Sequence, residues 1–182
     1  MKTMLLLAIL LATSHASFAS DADVRTTLRV LQYNNVAEQY LDRQTSVTVR
    51  GKPGKEELIV RFAPYGGSLG ESWFLFRASS ADNYLAHISK YREWSEKATE
   101  NRDVFTKEIG RAKSSAGVSL KFEFHSGNEA SHYLVISLCA LGNCAVNEPM
   151  YLDGKAADEL FSLISKLKAG GLPGEDVGAK YN

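Results

Sequence analysis

His125 and His132 flank a single turn, with Glu129 between them, and these are the residues best placed by type to do chemistry. Two imidazoles and a carboxylate are ligands for a zinc-like ion, and also the parts of a metal-assisted or hydrolytic site. The spacing argues against that use, because short-spaced ligands on one rigid element, such as a helical His-x3-His, are absent. Turn histidines with no ligand role are the simpler expectation. His87 falls on the flank of a helical segment, where a partly buried, satisfied imidazole is expected. A nucleophile needs a base and an orienting carboxylate converging on it. No Gly-x-Ser-x-Gly elbow occurs, and Gly67-Ser68-Leu69-Gly70 departs from it. The acidic pairs Glu56-Glu57 and Asp158-Glu159 are sequence neighbours, so their side chains diverge on any regular element. The glycine run at 66–70 precedes a strand rather than a helix, which is wrong for a phosphate cradle. No catalytic set emerges, and no metal or other cofactor is expected.

Cys139 and Cys144 are the only cysteines. They bracket Gly142-Asn143, a turn-forming pair, directly after a strand-like run. The expected arrangement is a hairpin tip with a disulfide across its base, which fits an oxidising compartment. Redox motifs use two intervening residues rather than four, and zinc would need two further ligands. The aromatics Trp73, Phe74, Phe76, Tyr84, Tyr91 and Trp94 crowd one stretch. Most fit an interface between sheet and helix, but Trp94 lies off the centre of its helical face. Tyr65, Trp73 and Trp94, with Leu141 and Asn143 on the stapled tip, are therefore the expected binding residues.

The elements that must position these residues follow from periodicity. Residues 118–124 alternate apolar and polar, as a half-buried strand does. Residues 133–138 form a more continuously apolar strand, and 46–50, 57–62 and 72–77 read as three more. Two helices are signalled. The first is capped by Ser79 or Ser80 and carries Tyr84, Ile88, Tyr91, Ser95 and Ala98 on one face. The second starts near Asp153-Gly154, turns Ala156, Leu160, Leu163, Ile164 and Leu167 inward, and stops at Gly170-Gly171. Over residues 21–43, Thr26, Thr27 and Val30 favour a strand and 36–41 a helix; the expectation is helix. Residues 100–112 support either type. Strands joined by short turns make an antiparallel sheet of hairpins, with the two amphipathic helices on one face: an α+β fold.

Laying residues 58–91 on 134–167 pairs Leu58 with Leu134, Gly66 with Gly142, and Ala81-Asp82 with Ala157-Asp158. Ile88-Ser89-Lys90 then falls on Ile164-Ser165-Lys166. The same register aligns strand, glycine turn, strand and helix, which suggests a duplicated strand–strand–strand–helix unit.

The chain carries 21 basic and 21 acidic residues, so there is no basic field to gather nucleic acid. Lys2, the apolar run over 4–12 and the small residues of Ser17-Phe18-Ala19 have the layout of a secretory leader over 1–19. That run is far short of the about 20 residues a membrane span requires. No later segment approaches a span. Removing the leader takes one lysine and no acid, so the remainder is slightly acidic. The expected organisation is a leader, one α+β domain over 20–171, and a flexible tail over 172–182. These features point to an exported, periplasmic or extracellular binding module whose partner is a protein, a peptide or an envelope component. The alternatives are a small hydrolytic or metal-dependent enzyme using His125, Glu129 and His132, and a structural subunit of an envelope assembly.

Overall fold

The computed structural model describes residues 21–52, 54–63, 70–145 and 147–172. The expected leader over 1–19, Tyr65 with most of its glycine run, and the expected tail beyond Leu172 lie outside the described residues. Within them, ten strands form two antiparallel sheets. The smaller sheet has the order β1-β4-β5-β6, from Ala22–Asp23, Thr45–Arg50, Glu57–Phe62 and Ser72–Arg77. The larger has the order β3-β2-β10-β9-β8-β7, from Gln39–Arg43, Val30–Asn34, Met150–Leu152, His132–Ala140, Val118–Ser126 and Thr106–Ser115. Helices α1 (Ala81–Asn101) and α2 (Gly154–Lys168) pack on each other and on the inner faces of both sheets.

Alternation decides which face each strand buries. On β8, Leu120, Phe122 and Phe124 are fully buried, while Lys121, Glu123 and His125 point outward. Leu58, Val60, Phe74 and Phe76 do the same on the smaller sheet. Of the expected inward residues, Tyr84, Ile88, Tyr91 and Ala98 from α1 and Ala156, Leu160, Leu163, Ile164 and Leu167 from α2 join this one core, whereas Ser95 of α1 stays partly exposed. Asp153 caps α2 by accepting from the Ala156 N–H at 2.8 Å, and Gly170 ends its run at φ +66°. Ser80 precedes α1 with no side-chain cap; a 3-10 turn over Ala78–Ser80 leads in instead. Where the ring of His87 lies against β7, Gly110 sits at a bulge, and a Cβ there would be 2.5 Å from His87 Cε1. The sheets meet where Ser114 Oγ of β7 donates to the Leu75 carbonyl of β6 at 2.7 Å.

Residues 21–43 are not helical. They form β1 and the hairpin β2–β3, in which Tyr33 faces Tyr40 and Leu31 faces Asp42. The helix expectation fails because Asn34 turns the chain: its side chain accepts from Val36 N and Ala37 N, both at 2.9 Å, and Glu38 takes φ +51°. Residues 100–112 split between the end of α1 and β7.

Both halves follow the order strand, strand, strand, helix: β4-β5-β6-α1 and β8-β9-β10-α2. The last two strands pair in the same register in each, Val60 with Phe74 and Ile136 with Met150, numbers that differ by 76 throughout. The first strands are displaced by one residue, Val49 facing Leu58 but Phe124 facing Leu134, because the second hairpin's loop is one residue shorter.

Candidate functional site

The outer face of the larger sheet gathers tyrosines from four strands. Tyr33 on β2, Tyr40 on β3, Tyr133 on β9 and Tyr151 on β10 share it by strand alternation and pairing. Tyr40 is the hub, its ring centroid 4.3 Å from Tyr133, 5.2 Å from Tyr151 and 5.3 Å from Tyr33. Tyr40 and Tyr133 form a common wall of two adjoining clefts, of about 580 and 450 Å³. The larger runs under α1, which supplies Tyr91, Ser95 and Thr99 at helical spacing, and reaches the start of α2 at Asp153-Gly154. Asp42 and Asp153 line it, and Glu38 lines the smaller; neither has a lysine or arginine in its lining.

His132 is the buried polar group of the larger cleft, with 6% of its surface exposed. Tyr91 donates its hydroxyl to the His132 carbonyl at 2.9 Å, and Nδ1 is 3.1 Å from Ser126 Oγ. Its Nε2 is buried without a hydrogen-bond partner. Burial lowers the imidazole pKa from its ordinary 6.5. Burial also pushes Tyr40 up to about 12, with Tyr151, Tyr133 and Tyr33 adding to the rise. Tyr133 and Tyr91 are raised first by burial and then by the Asp153 charge. Near neutral pH the walls therefore present neutral hydroxyls and a neutral imidazole beside carboxylates.

The candidate metal triad is not assembled. His125 pairs across the hairpin with Tyr133 and His132 with Ser126, and successive residues of a strand face opposite sides. His125 therefore lies on the outer face, where its Nδ1 is 2.8 Å from Thr106 Oγ1. His132 points toward the helices, and Glu129 stands exposed in the turn between. Among the described residues no three His, Cys, Asp or Glu side chains are grouped to hold a metal. The Ser126–His132 contact has the first two members of a nucleophile relay, but both are buried and no carboxylate meets Nε2.

The expected binding residues are dispersed. Trp73 is 50% exposed on the outer face of the smaller sheet, beside Arg61. Trp94 is half-buried on α1, packed on Phe105 and Phe124, with the ammonium groups of Lys90 and Lys107 over its ring. Leu141 and Gly142, at φ +50° and +84°, form a two-residue turn closed by Ala140 and Asn143. Cys139 and Cys144 are joined by a disulfide across its base, as expected. Asn147, just past that staple, donates to the Trp73 carbonyl at 3.3 Å and ties the loop to β6.

Tyr40, Tyr133, Asp42 and Asp153 were not among the expected site residues. A signal for them existed: Leu31 and Tyr33 alternate, and Tyr40 and Asp42 alternate beyond an Asn-Asn turn, which is a hairpin pattern. No helix among the described residues is long and apolar enough to cross a membrane. In comparisons with known proteins, no family model matches the chain, and no curated protein or solved structure shows significant similarity to it.

Proposed function

We propose that the protein is a non-catalytic binding module that acts outside the cytoplasm and holds an extended partner segment in the tyrosine-lined double cleft. The observation that carries this reading is the pair of adjoining clefts sharing Tyr40, Ser131 and Tyr133 as a common wall. Rigid aromatic rings with polar tips give contact area at low entropic cost, which suits recognition. The disulfide and the leader-like start of the sequence support an oxidising, extracytoplasmic setting. The reading also takes the two halves as copies of one unit, of which the second was opened for binding.

The test is a plug. Ser95 is partly exposed on the α1 wall of the larger cleft, so Ser95→Arg fills it without touching the core. Immobilised wild-type protein should retain a partner from its native envelope fraction or medium that S95R loses, with an unchanged thermal melt. Identical capture by both would remove the cleft from the function.

A further inference from the structure

We propose that β3 is a dimerisation edge, on which a second copy of this chain pairs antiparallel about a two-fold axis at Leu41. The pairing goes beyond the binding-module reading and does not depend on it.

Four strand edges bound the two sheets: β1 and β6 on the smaller, β3 and β7 on the larger. A free edge offers unpaired N–H and C=O groups, and proteins blunt such edges by shortness, charge, bulges or cover. Three of the four are blunted here. β1 is two residues long. β6 is covered: its Trp73 carbonyl accepts from Asn147, its Leu75 carbonyl from Ser114, and its Arg77 N–H donates to the Tyr84 hydroxyl. β7 carries Lys107, Glu108, Arg111 and Lys113, and its register shifts between Glu108 and Gly110 and again between Lys113 and Ser115. The Tyr84 hydroxyl also donates to the Lys113 carbonyl. β3 has none of these devices. It runs five residues in unbroken register with β2, its one strand neighbour, and contains neither proline nor lysine. Among the described residues, no hydrogen bond beyond that pairing reaches the backbone of Gln39–Asp42.

Self-complementarity chooses the occupant. Residues opposite each other in an antiparallel pair point to the same face, so a two-fold axis that continues the sheet falls at a residue and not between two. Centred on Tyr40, the pairing sets Glu38 against Asp42 of the second copy. Centred on Asp42, it sets that carboxylate against itself. Centred on Leu41, it pairs all five residues, Tyr40 with Asp42 and Gln39 with Arg43, each twice, and the two leucines meet at the axis. No like charges are then opposed. Leu41 is partly exposed and is no member of the core cluster, so it has surface to give to such a contact. The six-stranded sheets of the two copies join into one, and the clefts, which Tyr40 and Asp42 line, come to stand on either side of the axis.

The experiment follows the mass of the purified protein by sedimentation from about 1 µM to about 1 mM, with hydrogen exchange of backbone amides at both ends of that range. The wild type should approach twice the chain mass at the upper end, and protection of the Gln39–Arg43 amides should rise with it. L41K and L41D should each dimerise at least about tenfold more weakly, since like charges then meet at the axis. An equimolar mixture of the two should recover the dimer, because opposite charges now face each other, and that rescue is specific to the Leu41 register. A wild type that is monomeric throughout overturns the proposal, as does a dimer that both variants keep or a mixture of folded variants that recovers nothing. Should either variant fail to fold, the wild-type amides decide: a rise in protection confined to β3 supports the edge, and protection independent of concentration overturns it. Ser95 lies on α1 and not on β3, so the S95R capture result stands or falls separately.

Discussion

Glu57 and Tyr133 stand 76 residues apart at matching places near the start of the central strand in the two strand–strand–strand–helix halves. Their cross-strand environments differ in one decisive way. Glu57 reaches Arg50 and Arg77 at 3.0 and 3.1 Å, and this ion-paired cluster fills the corner of the smaller sheet. Seventy-six residues on, Arg77 is replaced by Asp153 and Glu57 by Tyr133, so no ion pair can form and the corner opens into a cleft. The flanking strands differ as well. In the first half β6 meets the edge of β7 through Ser114, whereas its counterpart β10 is extended by β2–β3, which brings Tyr33, Tyr40 and Asp42. One backbone arrangement thus gives a closed structural corner or an open chemical one, according to two side chains and an added hairpin.

The comparison is broken most severely through its shared core. Leu58 and Leu134 are both fully buried at equivalent positions. Leu58→Ala and Leu134→Ala should each cost about 2–5 kcal/mol, by similar amounts, in urea unfolding. A cost confined to one half would show that the two cores are not mechanically equivalent. Next in size is the staple present in only one half. Removing it with C139S/C144S should cost about 2 kcal/mol, as expected for so short a closed loop. Chemical-shift changes should stay near residues 139–147, because the Ala140–Asn143 turn keeps its own hydrogen bonds. Smaller again is the corner itself. Glu57→Gln should cost about 1 kcal/mol or less, since both arginines are partly solvated. Tyr133→Phe should change unfolding by about 0.5 kcal/mol or less, yet reduce peptide or partner binding. Equal stability effects from E57Q and Y133F would erase the distinction between a closed corner and an open one.

Much of the core was legible in the sequence, and the cleft was not. Residues 118–124 alternate cleanly and α2 shows a full apolar stripe, so local periodicity alone reports their inward faces. The disulfide followed from two cysteines bracketing a turn. Residues 30–43 misled because Val36, exposed almost completely at the hairpin tip, counts as an apolar helix position when its neighbours are unknown. The cleft depends on contacts between β3, β9, β10 and both helices, and the ring of Tyr40 meets that of Tyr133 across 93 positions of chain. No window of neighbouring residues carries such a pairing. His125 and His132 failed as a pair because the register across the hairpin, His125 facing Tyr133 and Ser126 facing His132, puts them on opposite faces, and that register follows from the length of the turn rather than from strand periodicity.

The least effect and the most specific concerns His132, whose counterpart in the first half is Glu56. Each has a buried side-chain atom without a partner, His132 Nε2 and Glu56 Oε2. Because burial lowers the His132 pKa below 6.5, the unfolded chain binds a proton more readily than the folded one. Stability is then greatest above the unfolded value and falls as pH drops through about 6.5 toward the lower folded value. Unfolding free energies measured between about pH 7.5 and 5.5 should therefore decline with acidification in the wild type. His132→Gln should decline less steeply, whatever its absolute stability, since the slope counts protons and not packing. A slope identical in the two proteins would mean that His132 is as easily protonated folded as unfolded.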